Sequence, residues 1–350
     1  MIIYLCDTLI AEGGDIVNEQ ERVGKEEQNK LKENAKKSNV ICFSEVEAQE
    51  VEWLWAQYIP KGKITIIQGD PGSGKTYLTA YIASVVSNGK KFPYTEQDIL
   101  PGNVILQNGE DDINDTLKPR LNKVMANCNN VYIIDETSEK TFKLQDIDTL
   151  RDILEKIKPA LVIIDPIQQY IGDIDMNGAN KVRNVLAPIK KIAEEFNCAI
   201  LIVMHMNKGN SKALFRTLGS IDMVGIARSM LTIGINPQNP NEKIISQTKS
   251  SNGSIATSIA FTINDDGIEW LGVREALTSD DIINVEYTKP RVEAREFLTN
   301  ELSNGSKLST EIEEAAKTKG ISSATLNRVK KAMRISSYQK DNAWYWKLNN

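Results

Sequence analysis

The chain has 350 residues, of which 41% are hydrophobic and 25% are charged, and its formal net charge is −5. This composition excludes a collagen-like or wholly disordered chain and suffices for two domains, with room for a third small module. The longest unbroken apolar run, residues 198–204, is far shorter than the roughly 20 residues of a membrane-spanning helix, so we expect no membrane segment.

We expect no export signal at the N-terminus. Residues 1–6 are apolar but no basic region precedes them, and Asp7 ends the run before a signal-peptide core can form. The four cysteines are far apart and form no C-x-x-C pair, which predicts reduced thiols rather than a disulfide framework or a zinc site. They are Cys6, Cys42, Cys128 and Cys198. We therefore expect a cytoplasmic protein.

Charge and composition divide the chain into segments. Residues 291–350 hold 11 Lys and Arg against 7 Asp and Glu, so this segment is +4 and the remainder is −9. An acidic body argues against bulk nucleic-acid binding, whereas a basic C-terminal module can supply it locally. We predict a charged lead-in over 1–39, helical or disordered, a core domain over 40–275, a linker over 276–290 and a small domain over 291–350.

Hydrophobic periodicity predicts an α/β core. Short runs that are apolar on both faces alternate with helical patterns, which is typical of a mainly parallel central sheet. The predicted parallel strands are 64–68, 104–107, 131–134, 161–164 and 200–204, and the predicted helices are 75–88, 144–157 and 179–196, the last kinked at Pro188. Runs at 230–235, 243–249 and 255–263 predict antiparallel strands that extend one edge.

A phosphate-binding motif follows the first predicted strand. Residues 69–76, GDPGSGKT, match G-x-x-x-x-G-K-[ST] between a strand and a helix, as the motif requires. Backbone N–H groups of such a loop face the phosphates, while Lys75 reaches the β- and γ-phosphates and the Thr76 hydroxyl holds Mg²⁺. The alternative is a glycine turn that caps an ordinary helix. We predict that ATP or GTP is bound by Gly69, Asp70, Pro71, Gly72, Ser73, Gly74, Lys75, Thr76 and Tyr77.

Acidic residues end two of the other predicted strands. Asp165 ends the strand from residue 161; alone it is equally a helix cap, but beside the phosphate loop it is expected to hold Mg²⁺ through water. Glu110 follows the second strand, where a carboxylate can orient or deprotonate a water that attacks the γ-phosphate. Asp111 is its rival for this role, and the alternative is that the acids cap the next helix through Asp112.

The single histidine, His205, directly follows the predicted strand that ends at Met204. A lone histidine is more often a surface or core residue than a functional one. At this strand end, however, a neutral imidazole can contact the γ-phosphate and report hydrolysis to the loop of residues 206–216.

As a set, these motifs resemble the RecA-like ATPases, most closely the hexameric replication helicases of the RepA type and their phage and mobile-element relatives. The resemblance covers residues 51–263. It also rests on Trp53-Leu-Trp55, Arg120-Leu121, Leu161-Val-Ile-Ile-Asp-Pro166, His205-Met-Asn-Lys208 and the run from Gly219 to Ser229. It implies that Glu110 is the catalytic base, Asp165 the metal-water ligand, His205 the γ-phosphate sensor and Arg120 a nucleotide-binding residue.

The resemblance further implies residues that act on the neighbouring subunit of a ring. Arg228 is expected to be an arginine finger, the alternative being a surface salt bridge. Residues 249–253 are similar to a stretch of DnaB-type helicases that carries a trans-acting lysine and arginine. Here Lys249 matches the lysine, but Ser251 occupies the arginine position.

Two regions are predicted to contact DNA. The resemblance implies two pore loops. The first, residues 172–178, has two acidic residues and no basic one. The second, residues 206–216, has the basic residues Lys208, Lys212 and Arg216 and one aromatic residue, Phe215. The alternative for this second loop is a lid over the nucleotide. In the C-terminal module, three helices and two strands predict a winged helix-turn-helix. Its third helix carries Arg328, Lys330, Lys331 and Arg334, which contact DNA or, alternatively, are solvated on a protein-binding domain.

These features together predict an ATP-driven DNA motor that forms a ring, most closely a hexameric replicative helicase of a phage or mobile element. Its expected ligands are ATP, Mg²⁺ and single-stranded DNA, with double-stranded DNA and other replication proteins as further partners. The alternatives are a recombination or helicase-loading ATPase without unwinding activity and a nucleotide-gated DNA-binding regulator. A small-molecule kinase would need neither the acid cluster with the strand-end histidine nor the appended module.

Overall fold

The computed structural model describes residues 41–348, apart from 135–141, 173, 177, 208–211, 218–220, 266, 284–288 and 342. The chain divides into two compact units, residues 1–50 and 51–350. In the described part of the first unit, a 3-10 turn spans Phe43–Glu45, and the side chains of Ile41 and Phe43 are exposed.

A central sheet organises the second unit and, among the described residues, has nine strands in the order β11-β10-β9-β8-β3-β7-β6-β4-β5. Six parallel strands are β3 (Ile64–Gly69), β4 (Asn103–Asn108), β5 (Val131–Tyr132), β6 (Pro159–Asp165), β7 (Ala199–His205) and β8 (Ser229–Asn236). Three antiparallel strands follow, β9 (Asn239–Ser250), β10 (Ile259–Asn264) and β11 (Gly267–Val273). The predicted fold class, α/β with a mainly parallel sheet, is confirmed. The prediction of an antiparallel strand over residues 230–235 is wrong for its pairing with β3, because β8 runs parallel to that strand.

Helices cover both faces of the parallel strands. They are α1 (Lys75–Asn88), α2 (Lys118–Lys123), α3 (Ile147–Ile157), α4 (Ala179–Phe196) and α5 (Ile221–Ile226). On β3, Ile64 and Ile66 belong to one buried cluster and Ile67 to the cluster on the opposite face. This two-sided burial explains why the parallel strands are apolar throughout rather than alternating.

Helix boundaries follow local backbone chemistry. Helix α1 ends where Gly89 adopts φ +68° and its N–H bonds back to the carbonyls of Val85 and Val86. The predicted bounds of α1 and α4 match the structure, and Pro188 lies within α4. Helix α3 begins at Ile147 rather than at residue 144 because Leu144 and Gln145 form a turn before it. Strand β5 is two residues shorter than predicted.

A short ribbon of β1 (Trp53–Trp55) and β2 (Ile59–Pro60) precedes β3. Trp55 is completely buried, its ring stacks on Phe92 with centroids 4.9 Å apart, and Trp270 of β11 meets it edge-on. The aromatic residues ahead of the phosphate loop therefore anchor the start of the core.

The C-terminal part contains helices and a second sheet with their own apolar cluster. Its elements are α7 (Lys289–Leu302), α8 (Ser309–Thr318), α9 (Ser323–Ala332), β12 (Lys307–Leu308), β13 (Ser336–Lys340) and β14 (Ala343–Lys347). The strands pair antiparallel in the order β12-β14-β13. Trp346 is buried in this cluster, whereas Trp344 is exposed. The winged helix-turn-helix assignment stays a prediction.

The segment predicted as a linker contains a packed turn of helix, α6 (Ser279–Ile282). Thr278 and Asp281 form a reciprocal capping box at its start, and Ile282 is buried beside β8. Among the described residues, no helix is long and apolar enough to span a membrane.

Candidate nucleotide site

The carboxyl ends of four parallel strands meet at one edge of the sheet and form a cavity. Strands β3, β7, β6 and β4 are neighbours in this order, and the phosphate loop, His205, Asp165 and Glu110 respectively stand at or just beyond their ends. The cavity measures about 480 Å³. Its lining comprises Pro71, Gly72, Gly74, Lys75, Thr76, Tyr77, Glu110, Arg120, Asp165, His205, Lys243 and Ile263.

The phosphate loop needs its glycines for two different reasons. Gly72 and Gly74 have φ +74° and +98°, conformations that L side chains rarely adopt. Gly69 lies so close to β8 that an added Cβ would be 2.6 Å from the Ile233 carbonyl oxygen. The loop therefore requires glycine for conformation at two positions and for close packing at the third.

Lys75 is folded back onto the loop that carries it. Its Nζ donates to the carbonyl oxygens of Gly69 at 2.9 Å and Asp70 at 3.0 Å, and its side chain is buried. Burial lowers the pKa of Lys75, and the charges of Asp165 and Glu110 oppose this shift. The ammonium group thus donates its hydrogen bonds to loop carbonyls. Phosphate oxygens can replace these carbonyls as its acceptors.

Asp165 is a buried carboxylate with hydroxyl partners. Burial raises its pKa to about 6, while hydrogen bonds from the hydroxyls of Thr76 and Thr79 and the charge of Lys75 act in the opposite direction. Because a desolvated carboxylate beside a hydroxyl gains most from a cation, this donor set fits Mg²⁺. Thr76 and Asp165 are the side chains that would hold it.

The acid cluster after β4 separates into three roles. Asp112 accepts from the backbone N–H groups of Asn114 and Asp115, so it caps the π-helical turn Ile113–Leu117. Asp111 pairs with Arg120, with Oδ2 2.6 Å from Nη1. Glu110 alone of the three lines the cavity, which favours it over Asp111 as the residue that faces an attacking water.

His205 meets Glu110 across the cavity. Its Nε2 lies 3.4 Å from Oε1 of Glu110, and its buried Nδ1 has no hydrogen-bond partner among the residues that the structure describes. His205 at the end of β7 thus contacts Glu110, which follows β4, and β6 lies between these two strands in the sheet. This contact joins the two strand ends at the place where a γ-phosphate is expected.

Comparisons with known proteins agree with this geometry. A family model described as an AAA domain matches residues 32–211, just over half of the chain. The chain belongs to this AAA-domain family.

Curated relatives of this AAA-domain protein include DNA repair proteins RadA. The Bacillus subtilis protein is 27% identical over 158 residues, which are 44% of this chain and 30% of RadA. The Streptococcus pneumoniae protein is 25% identical over 174 residues, 49% of this chain and 36% of RadA. The chain thus spans about a third of the length of the relatives that it matches.

Among solved structures, a KaiC-like protein of Pyrococcus horikoshii OT3 is similar over 63% of this chain and 99% of its own, with a TM-score of 0.47 and 15% identity. The family match and the RadA relatives place the AAA-domain core among the RecA-like P-loop ATPases. The narrower resemblance to RepA-type helicases stays a prediction.

Two of the residues that line the cavity, Tyr77 and Arg120, pack against each other. The guanidinium of Arg120 lies 4.8 Å from the ring centroid of Tyr77, and its bond to Asp111 holds it there. A planar nucleobase fits against such a surface by stacking. Both residues were among the predicted nucleotide contacts.

Two further residues that line the cavity, Lys243 and Ile263, were not anticipated from the sequence. Lys243 of β9 donates to the Gly72 carbonyl oxygen at 3.3 Å, and an added Cβ on Gly74 would lie 2.7 Å from Ile263 of β10 and 3.3 Å from Cδ of Lys243. Burial lowers the pKa of Lys243. No sequence motif marks these two residues, because the antiparallel extension of the sheet brings them to the loop.

Arg228 and Lys249 lie near the amino end of β3, whereas the cavity lies at the carboxyl ends of the parallel strands. The Arg228 N–H bonds to the carbonyl of Ile64, at the start of β3, so the length of β3, about 17 Å, separates it from the phosphate loop. Its guanidinium makes no hydrogen bond or ion pair with any described residue. Lys249 bonds to the carbonyls of Val224 and Ala227 at the end of α5. Neither residue lines the cavity of this chain.

The predicted DNA contacts after β7 differ in their exposure to solvent. Lys208 lies outside the described residues. Lys212 and Phe215 are exposed, the latter by 60%. Arg216, in contrast, is only 5% exposed and pairs with Asp70 of the phosphate loop, so its guanidinium faces inward rather than toward a DNA strand.

The predicted basic residues of the C-terminal helix differ in exposure. Arg328 and Lys331 on α9 and Arg334 just after it are exposed. Lys330 packs over Trp346 with its Nζ 3.9 Å from the ring centroid, and burial lowers its pKa. Arg328, Lys331 and Arg334 therefore offer the charge that a nucleic-acid backbone would meet.

Proposed function

We propose that this chain is an ATP-hydrolysing DNA motor that works as a homo-oligomeric ring, in the role of a replicative helicase of a phage or mobile element. The contact of 3.4 Å between His205 and Glu110 carries the proposal. It connects the carboxylate beside the expected γ-phosphate with the strand end that leads toward the exposed Lys212 and Phe215. Hydrolysis and a DNA-facing loop are thereby joined through one side-chain pair.

The residues of the cavity can divide the hydrolysis reaction among them. Lys75 leaves its loop carbonyls to bind the β- and γ-phosphates. Glu110 orients a water whose oxygen attacks the γ-phosphorus, accepts the proton of that water, and the bond to the β–γ bridging oxygen breaks. Mg²⁺, when bound, neutralises charge on the phosphates. His205 can donate a ring N–H to the γ-phosphate and change partner after its release.

The position of Arg228 supports an assembly-dependent reaction. Its guanidinium, which pairs with none of the described residues, lies too far from the cavity of its own chain to stabilise charge there. In the proposed ring this end of the sheet would lie against the next subunit's cavity. Lys249, next to Arg228 in space, would share that interface. An oligomer would thus complete each site with a residue from its neighbour.

DNA is proposed as the polymer partner. Exposed Lys212 and Phe215 offer one cation and one aromatic ring, the combination that binds single strands, and exposed Arg328 and Lys331 offer a second basic surface. The RadA relatives are named as DNA repair proteins, which supports the same ligand. They also favour a second candidate function, a recombination or repair ATPase that does not unwind duplexes.

Steady-state ATP hydrolysis, with and without single-stranded DNA, tests the proposal. We expect several-fold stimulation by DNA and a loss of at least about 100-fold in kcat for Glu110→Gln, with nucleotide binding retained. A forked-duplex unwinding assay then separates the helicase from the repair ATPase. ATP binding without any DNA response would contradict the motor and favour a nucleotide-gated regulator.

A further inference from the structure

Arg216 is the most deeply buried arginine side chain near the nucleotide site. Its Nη2 lies 2.9 Å from Oδ1 of Asp70, its Nε donates to the carbonyl of Asn207 at 2.9 Å, and its own carbonyl accepts from the N–H of Asn207 at 2.7 Å. A desolvated guanidinium is tolerated only when it is paired. This arginine is therefore built into the protein interior, with its charge directed at the phosphate loop.

Asp70 of the phosphate loop contacts both Arg216 and Lys75. Its carboxylate binds Arg216, while its backbone carbonyl accepts from the Lys75 ammonium at 3.0 Å. Asp70 is half exposed, so it has no need of a buried partner for its own solvation. The pair instead fixes the side chain of the second residue of the phosphate loop, and through it the carbonyl on which Lys75 rests.

A second anchor ties the same segment to the strand below the phosphate loop. Gln68, the buried penultimate residue of β3, donates to the carbonyl of Ala213 at 3.0 Å and accepts from the hydroxyl of Thr217 at 2.8 Å. Residues 213–217 are thus bound at three points to residues 68 and 70. Any change at the start of the phosphate loop must be accommodated by this segment, which carries exposed Phe215.

We propose that Arg216 is a positioning residue for the phosphate loop. Acting through Asp70, it holds the first half of the loop in the conformation that places Lys75, and the same contact transmits nucleotide binding to residues 212–217. The proposal rests on the proposed function only in that a nucleoside triphosphate binds to the loop. It requires neither DNA nor a ring.

Two single variants and their combination test the pair. Asp70→Asn leaves the buried guanidinium without its counter-charge, Arg216→Met removes the guanidinium at similar length, and the double variant removes both charges. Arg151→Met is the matched control, because Arg151 pairs with Glu195 on the surface away from the cavity. Each protein is measured for thermal stability, for KM and kcat of ATP hydrolysis, and for amide hydrogen exchange of residues 212–217.

The exchange measurement uses a non-hydrolysable ATP analogue with Mg²⁺ as the probe. In the wild type and in Arg151→Met we expect the analogue to change the exchange rates of residues 212–217 by at least about twofold. In both single variants and the double variant we expect no such change and a KM raised by about tenfold, with kcat within about twofold. The double variant should regain the stability that Asp70→Asn loses, but not the nucleotide response.

The outcomes distinguish the proposal from a purely structural role. If the double variant recovers both stability and the nucleotide response, the pair serves folding alone and the proposal is wrong. Analogue binding to the wild type without a change in exchange overturns this proposal and leaves the proposed function intact. A wild-type protein that binds no nucleotide overturns both.

Discussion

Lys243 illustrates how one side chain can shape a ligand site from outside its motif. Its alkyl stem lies beside Gly74, and its ammonium donates to the Gly72 carbonyl oxygen at 3.3 Å. The ammonium group of Lys243 is therefore hydrogen-bonded to the loop, and we expect its alkyl stem to be the part that contacts a nucleotide. Lys243 and Ile263 line the same cavity as Arg120 and Tyr77.

We expect Lys243→Ala to weaken ADP binding about fivefold, since the loss of one or two packed methylene groups costs about 1 kcal/mol. Pyrophosphate, which lacks base and ribose, should bind within about twofold of the wild type. Fluorescence competition titrations with both ligands measure the two effects. Lys243→Met, which keeps most of the stem without the charge, is the control and should bind ADP more tightly than Lys243→Ala. Equal weakening for both ligands would instead assign the ammonium to the phosphates.

At the scale of elements, helix α6 is docked against the middle of β8 by close backbone contact. An added Cβ on Gly234 would lie 2.2 Å from the carbonyl oxygen of Ile282, and the buried side chains of Ile282 and Ile283 pack with Ile244 of β9. Ala213, at the base of the segment tied to the phosphate loop, donates its N–H to Asp280 of the same helix. The helix therefore supports both the antiparallel strands and the segment after β7.

Gly234→Ala is expected to destabilise the protein by about 2 kcal/mol, because the methyl group must displace backbone rather than a flexible side chain. Gly225→Ala is the matched control: it lies in α5, where an added Cβ meets no described heavy atom within 4 Å, and it should stabilise by up to about 1 kcal/mol. Urea denaturation midpoints measure both. A Gly234→Ala protein as stable as the wild type would show that α6 does not pack against β8 in solution.

For the whole molecule, the decisive property is whether one subunit completes the site of the next. Arg228 and Glu110 stand at opposite edges of the sheet of one chain, so a single subunit cannot bring them together. In the ring that we propose, Arg228 of one copy would lie against the Glu110 end of the cavity of the next copy. This arrangement makes a direct test of assembly possible without a structure of the oligomer.

Arg228→Ala and Glu110→Gln are each expected to lose most ATP hydrolysis while still binding nucleotide. Mixed in equal amounts, they should regain hydrolysis, because random assembly gives roughly a quarter of the interfaces an intact Glu110 and an intact Arg228 from the neighbour. Steady-state hydrolysis of the mixture against each variant alone measures the recovery. Mixing Arg228→Ala with Arg228→Ala/Glu110→Gln, which offers no intact arginine, is the control. No recovery in the first mixture would contradict action between subunits.

Local sequence determined the parts of the site that depend on neighbouring residues. The phosphate loop, the strands that are apolar on both faces and the acids or histidine at their ends all follow from short-range pattern and the parallel sheet that it implies. Helices α1 and α4 were predictable for the same reason, since periodicity and cap residues define a helix within its own segment.

Tertiary structure alone decided that Arg216 and Lys243 contact the phosphate loop. Arg216 and Asp70 are 146 positions apart, and Lys243 and Gly72 are 171 apart, so no local pattern predicts either contact. Arg216 looked like a surface cation because a run of Lys and Arg after β7 is the pattern of a DNA-binding loop. Burial reversed that assignment, since a desolvated guanidinium must pair and Asp70 is the carboxylate that the sheet places beside it.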